Sequence, residues 1–264
     1  MKLSARISTL SFGLAWLTCL SQCNPLPSSE DGQVTPGKFF GDSSIDGNYD
    51  DRFAKHALGK EEHRAASKVL IQTYLATIRD LGMDTWIMHE SLLGWWWNKK
   101  SLPWEDHHSV FITETTLYHL AAFYNMTTHY YEYSAIPKGR KYLLDINPHY
   151  TDRDSEESSN AVDARWIDTE TGLYLDISTA RYDTNIPAGE GFIICKDRQK
   201  FKYTSIFPLL DTKFENVPVR IPFEYRDLLV KEYGKEALTD KKFKNYDFDD
   251  SKSEWVSQSI GEDL

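Results

Sequence analysis

Cysteine is scarce in this 264-residue chain, which has three: Cys19, Cys23 and Cys195. So few cysteines exclude a fold that depends on a disulfide framework. Because the first two lie in or beside a segment predicted to be removed, Cys195 is predicted to be a lone buried thiol. The sequence also lacks internal repeats and shifts in composition, and its length suits one sizeable domain with a buried core.

Positive charge is also in deficit, with 30 Lys and Arg against 40 Asp and Glu and a formal net charge of −10. Such a protein does not attract nucleic acid or anionic membranes through its overall field, so we expect no nucleic-acid partner. A phosphorylated ligand would need a metal ion or a local basic patch. The hydrophobic fraction of 41% and aromatic fraction of 14% are typical of a folded globular protein.

The N-terminus has a secretory pattern, in which Lys2 and Arg6 precede the apolar run Ile7–Leu20. The run is shorter than the roughly 20 residues that span a bilayer, which favours a cleaved signal peptide over 1–23 and disfavours the alternative of a membrane anchor. No other transmembrane segment is predicted. We therefore expect a protein of the secretory pathway, either secreted or in the Golgi lumen. Asn125 begins the N-glycosylation triplet Asn-Met-Thr.

Hydrophobic periodicity predicts an α/β (α+β) fold in which a mixed sheet is flanked by helices. A flexible leader is predicted over 24–55, a single folded domain over 56–246 and a loose acidic tail over 247–264. The predicted helices are Glu61–Leu81, Leu92–Trp97, Thr116–Phe123 and Tyr225–Tyr233. The predicted strands are Asp84–His89, a strand opening at Pro103-Trp104 and continuing through Val110–Thr113, Arg140–Ile146, and a hairpin of Ala161–Ile167 and Leu173–Ile177 that turns at Gly172.

Titratable residues crowd the start of the second predicted strand, at Glu105, Asp106, His107 and His108. Alternation along a strand would place Glu105, His107 and Ser109 on one face, where they could bind a divalent cation. Such a cation stabilises the charge that develops during phosphoryl transfer. A third carboxylate would come from Asp176 or Asp145, each flanked by apolar residues. The same spacing also fits ordinary solvent-facing positions, so the alternatives stay open at this point.

A longer series of landmarks resembles a known family. They are Trp86–His89, Leu92–Trp97, Pro103-Trp104, Tyr142–Pro148, Asp163–Asp168, Thr171–Ile177, Cys195–Asp197 and Ile206–Leu209. In this order they resemble the LicD/fukutin family, and most closely its fungal branch of mannosylphosphate-transfer proteins, from about Asp84 to Leu238. The resemblance implies a nucleotidyltransferase-like fold. It also implies metal-dependent transfer of a sugar phosphate, such as mannose phosphate, from a nucleotide sugar donor to a glycan or glycoprotein acceptor.

The resemblance also implies the site residues. Metal ligands would be Glu105, His107 and Asp176, binding Mn²⁺ or Mg²⁺, with Zn²⁺ favoured by the imidazole. Asp176, Arg165 and Asp106 would be catalytic. The phosphate-binding residues implied are Ser91, Lys99, Lys100 and Arg165.

Several positions depart from the family pattern. After Pro-Trp the family has Asp-x-Asp-x-Asp, where this chain has Glu105, His107 and Ser109. Glu90 stands where a small residue follows the glycine of the phosphate-binding turn. The carboxylate of Glu90 would repel a phosphate bound there, since two like charges about 4 Å apart cost on the order of 4 kcal/mol at an effective dielectric near 20. The sequence therefore leaves two hypotheses: a sugar-phosphate transferase with an altered metal site, or a non-catalytic glycan-binding, regulatory or effector-like protein on the same scaffold.

Overall fold

A computed structural model describes residues 38–41, 43–45, 48–153, 160–183, 186–187 and 190–258. The predicted signal peptide and most of the predicted leader lie outside the described residues. Within them, no helix combines the length and apolar character needed to cross a membrane.

The described elements are five α-helices and thirteen strands, which confirm the predicted mixed α/β class. The helices are α1 (Lys60–Asp80), α2 (His89–Asn98), α3 (Glu114–Phe123), α4 (Tyr203–Ile206) and α5 (Tyr225–Tyr233). The strands are β1 (Thr85–Ile87), β2 (Ser109–Thr113), β3 (Thr127–Tyr133), β4 (Ile136–Ile146), β5 (Ala164–Asp168), β6 (Tyr174–Tyr182), β7 (Phe192–Ile194), β8 (Lys200–Lys202), β9 (Leu210–Phe214), β10 (Val217–Ile221), β11 (Lys242–Phe243), β12 (Tyr246–Asp249) and β13 (Glu254–Ser257).

The main sheet runs in the order β3-β4-β5-β6-β2-β1-β10-β9, with β7 and β8 extending from β6. The pairs β2–β6 and β1–β10 are parallel and the other pairs are antiparallel. The hairpin of β5 and β6 is confirmed, and its Gly172 has a φ of +79°, a conformation that glycine adopts without steric cost. The strands β11, β12 and β13 form a separate three-stranded sheet.

The helix α1 packs on one face of the main sheet and supplies much of the core. Its acidic first turn and its basic last turn suit the helix dipole, and Gly82 with a φ of +71° follows its end. On β5, Ala164 and Trp166 join this core, while Arg165 between them faces the opposite side of the sheet. Cys195 is a buried free thiol, as predicted.

Three local predictions were wrong. The strand β2 begins at Ser109, not at Pro103, because Glu105 and His108 turn inward in the preceding loop. Residues of the predicted leader pack on the domain, since Tyr49 is buried and bridges to Leu173. The predicted tail is not loose over its described residues, because β12 and β13 pair with each other. The structure also adds β3, which was not predicted.

Candidate functional site

A row of polar side chains crosses four adjacent strands on the face opposite α1. The strand registers align Asp145 on β4 with Arg165 on β5, Arg165 with Asp176 on β6, and Asp176 with Ser109 on β2. Because residues paired across strands point to the same side of a sheet, the four side chains share one face. The structure therefore places the predicted residues Arg165 and Asp176 side by side.

Arg165 and Asp176 form a direct ion pair. Arg165 Nε donates to Asp176 Oδ1 at 2.8 Å, and the guanidinium lies 3.6 Å from the ring centroid of Tyr174 and 4.6 Å from that of Phe40. The Arg165 side chain is 7% exposed and that of Asp176 is 37% exposed. Desolvation raises the pKa of the Asp176 carboxyl, although Arg165 and the nearby His107 act in the opposite direction.

The segment that precedes α1 covers this row. Arg52 Nη2 donates to Asp145 Oδ2 at 2.6 Å and to Asp50 Oδ2 at 2.7 Å, so Asp145 is buried in an ion pair. Phe40 and Arg165 line the same cavity, which has a volume of about 220 Å³. Asp145, the alternative third ligand in the sequence, is therefore already neutralised by Arg52.

Glu105 belongs to a separate buried network. Its Oε1 accepts a hydrogen bond from Ser91 Oγ and lies 3.1 Å from His108 Nδ1, while its Oε2 accepts from the backbone N–H of Leu102 at 3.1 Å. His108 continues the network through Nε2, which lies 3.0 Å from Ser67 Oγ. The side chains of Glu105 and His108 are 0% and 1% exposed. Ser91, predicted to bind phosphate, is thus engaged in holding Glu105.

The arrangement does not fit a divalent cation. Such an ion needs several oxygen ligands that converge with free lone pairs. Both oxygens of Glu105 already accept hydrogen bonds within the protein, and Asp176 is paired with Arg165. In the part of the chain that the structure describes, no group of three or more His, Cys, Asp or Glu side chains could hold a metal ion. The ligand set with His107 stays a prediction that this geometry does not support.

The other predicted site residues lie in different surroundings. Asp106 and His107 are exposed in the loop before β2. Lys99 is exposed at the left-handed C-cap of α2, with a φ of +62°, and Lys100 forms an ion pair with Glu254. Both lysines follow the C-terminal end of α2, and the carbonyl oxygen of Lys99 accepts a hydrogen bond from the backbone N–H of Glu215 at 2.9 Å.

The structure also shows the surroundings of Glu90 and Asn125, two residues that the sequence had indicated as important. Glu90 lies on the first turn of α2, where desolvation and the charge of Glu105 raise its pKa against the opposing effect of His107. Asn125 is exposed, and its Oδ1 accepts from the backbone N–H of Ile146 at 3.0 Å. Glycosylation of Asn125, which occurs at the other amide atom, stays a prediction.

Sequence analysis missed Asp50 and Arg52 as residues of this face. They lie in a stretch that lacks hydrophobic periodicity, so no pattern indicated that it packs. A signal was nevertheless present: Tyr49 and Phe53 flank them, and both are bulky apolar side chains that a flexible leader would leave exposed.

The Asp50–Arg52 pair predicts a pH-dependent contribution to stability. Desolvation raises the pKa of Asp50, but hydrogen bonds from the side chain and backbone of Arg52 outweigh it and leave this pKa below its ordinary value. Because the pKa of Asp50 is lower in the folded than in the unfolded protein, the ion pair contributes its full stability above about pH 4, the pKa of an unfolded aspartate. This contribution is lost as the pH falls through the folded-state pKa. Because Arg52 is half exposed, we expect Asp50→Asn to cost about 1 kcal/mol at neutral pH.

Urea denaturation of wild type and Asp50→Asn at pH 7 and at pH 3 would measure this contribution. We expect the difference between the two free energies of unfolding to be smaller at pH 3 than at pH 7. A constant difference between them at both pH values would show that the amide itself, not the lost charge, causes the destabilisation.

Comparison with known proteins connects this geometry to a family. The family model described as LicD/FKTN/FKRP, nucleotidyltransferase domain, matches residues 82–224. "Mannosyltransferase regulator 4" of Saccharomyces cerevisiae is 30% identical over 129 residues, which are 49% of this chain and 11% of that protein. "Mannosyltransferase regulator 14" of the same yeast is 28% identical over 142 residues, 52% of this chain and 15% of that protein. The chain thus spans a small part of the length of these curated relatives.

Proposed function

The chain belongs to the LicD/FKTN/FKRP nucleotidyltransferase-domain family, and from that premise we propose that it acts in glycan phosphorylation as a regulatory, glycan-binding protein. In this role it assists the transfer of a sugar phosphate, such as mannose phosphate, onto a glycan or glycoprotein in the secretory pathway. The yeast relatives are named as mannosyltransferase regulators, which supports a regulatory role.

The observation that carries this proposal is the engagement of Glu105. A metal ligand in a transferase must offer lone pairs to the ion and reach the substrate. Glu105 instead accepts hydrogen bonds from Ser91 and Leu102 within the protein, and its side chain is fully buried. We infer that the acidic residue after Pro-Trp serves the fold in this chain.

A second candidate function, sugar-phosphate transfer by the chain itself, is favoured by one observation. Asp176, which is 37% exposed, is paired with Arg165 on one face of the sheet, so a carboxylate and a cation lie together where a ligand could reach them. In that function Arg165 would neutralise the phosphate of a nucleotide sugar, and a bound Mn²⁺, Mg²⁺ or Zn²⁺ would supply Lewis-acid chemistry. It would require Glu105 to leave its present partners.

A cellular assay separates the two functions. Cells that lack the chain would be given wild type, Asp176→Asn or Glu105→Gln, and phosphate on secreted glycans would be measured by mass spectrometry. We expect both variants to restore glycan phosphate to the wild-type level, because neither carboxylate acts on a substrate in the regulatory function. Thermal unfolding of each purified variant would verify that it is folded.

Loss of glycan phosphorylation with a folded Asp176→Asn variant would contradict the regulatory function. Transferases that lose a residue acting on the transition state show a large fall in turnover, which this assay would detect. If wild type itself fails to change glycan phosphate relative to cells that lack the chain, both functions are wrong.

A further inference from the structure

A second cavity lies at the junction of α2, the loop before β2 and the C-terminal sheet. It has a volume of about 260 Å³. Its walls include the aromatic side chains of Trp97 on α2, Trp104 in the loop, Phe243 on β11 and Trp255 on β13. Each of these comes from a different element, so only the folded protein assembles them.

The aromatic rings pack mainly on one another and leave one ring outermost. The ring centroid of Trp104 lies 5.0 Å from that of Trp255 and 4.8 Å from that of Phe243. The ring centroid of Trp97 lies 4.8 Å from that of Trp255. Phe243 is 47% exposed, the largest exposure among these four. The cavity therefore offers an aromatic platform beside an apolar wall, not a box whose ring faces all point at one centre.

The polar groups of the cavity are mostly hydrogen-bond acceptors. Glu90, Glu236 and Asp240 line it together with a single lysine, Lys242. Carboxylates accept hydrogen bonds from hydroxyl groups and repel phosphate. A lysine in the same wall disfavours a simple cation. An aromatic platform with several acceptors suits a ligand that has an apolar C–H face and many hydroxyl groups.

We propose that this cavity binds a neutral saccharide unit, with the ring of Phe243 stacked on the sugar and the carboxylates of Glu90 and Asp240 accepting from its hydroxyl groups. This inference deepens the proposed function, because it names the surface through which the protein holds a glycan. The cavity adjoins the buried network of Glu105, because Glu90 lines the cavity and its charge interacts with Glu105.

The indole N–H of Trp255, a half-buried residue whose Nε1 atom is itself buried, supports the same proposal. Its Nε1 has no hydrogen-bond acceptor within the described part of the chain. A small outward shift of the ring toward a ligand oxygen would therefore break no existing bond and would satisfy a donor that is costly to leave unpaired.

The test is a titration of the whole purified chain with methyl α-D-mannoside, followed by saturation-transfer NMR and by tryptophan fluorescence. We expect Phe243→Ala to weaken binding roughly tenfold, as the loss of a central aromatic contact does. Asp240→Asn should weaken it as well. Phe223→Ala is the matched control, since Phe223 is 49% exposed and does not line the cavity, and it should bind like wild type.

Three results would overturn the site: no mannoside binding by wild type, equal binding by Phe243→Ala and wild type, or tighter binding of mannose 6-phosphate or tetramethylammonium than of the mannoside. Asp240→Asn keeps the test decisive if Phe243→Ala does not fold. The cellular assay distinguishes the two proposals. Glycan phosphorylation that depends on the chain, without mannoside binding at this cavity, would refute the site and leave the regulatory function standing.

Discussion

Replacing Asp163 with alanine is expected to destabilise the fold by about 3–5 kcal/mol, because it removes the carboxylate with which two buried cations are paired. Asp163 accepts from Arg181 Nη1 at 2.9 Å and Nη2 at 2.7 Å, and it pairs with Lys196 Nζ at 3.0 Å. The side chains of Asp163, Arg181 and Lys196 are between 1% and 4% exposed. Carbonyl oxygens of His149 and Tyr150 also accept hydrogen bonds from these two cations, without carrying a full charge.

Urea denaturation of the purified variant would measure this loss. Asp163→Asn is the second variant, since it keeps the shape of the side chain and removes only the charge. The control is Asp211→Ala, which removes an acid that is 89% exposed and paired with Arg220, and it should cost less than about 1 kcal/mol. Equal destabilisation by Asp163→Ala and Asp211→Ala would refute the assignment of the cluster as a structural ion network.

Glu105→Ala is expected to cost roughly 3 kcal/mol, which is the second large effect. The change leaves Ser91 Oγ, the Leu102 N–H and His108 Nδ1 without their shared acceptor in a buried site. Asp106→Ala, at the adjacent exposed position, is the control and should change stability by less than about 0.5 kcal/mol.

Comparing wild type with Glu105→Ala also tests the alternative role of Glu105 as a metal ligand. A bound ion stabilises the native state by about 2.7 kcal/mol when its concentration is a hundred times its Kd. We expect Mn²⁺ to leave the stability of wild type and of Glu105→Ala unchanged. A Mn²⁺-dependent rise in the wild-type Tm that disappears in Glu105→Ala would show that the carboxylate binds metal and that its network rearranges.

Elements with strong local patterns were predicted well. The helix α1 has a continuous apolar stripe and favourable charges at both ends, and the hairpin of β5 and β6 has alternating side chains around Gly172. Local sequence decides such elements because side-chain periodicity and turn geometry agree. The register of this hairpin, which the sequence did not specify, places Arg165 beside Asp176.

Elements that depend on distant partners were not predicted. The strand β3 carries mostly polar and aromatic residues, and nothing in that pattern places it at the sheet edge beside β4. The C-terminal sheet exists because Trp255 and Phe243 pack on Trp104, a contact that the acidic composition of the tail does not indicate. The inward orientation of Glu105 could not be predicted either, because it depends on the positions of Ser91 and His108 in the folded protein.

The order of strands in the main sheet has a consequence for how the chain assembles during synthesis. The central strands β1 and β2 find their parallel partners in β10 and β6, which emerge from the ribosome much later. At about 5–20 residues per second, the apolar residues Trp86 and Phe111 wait for seconds before residue 221 exists to complete the sheet. Such long-range pairing folds slowly, so the nascent chain is most exposed to chaperones, and to aggregation, in that interval.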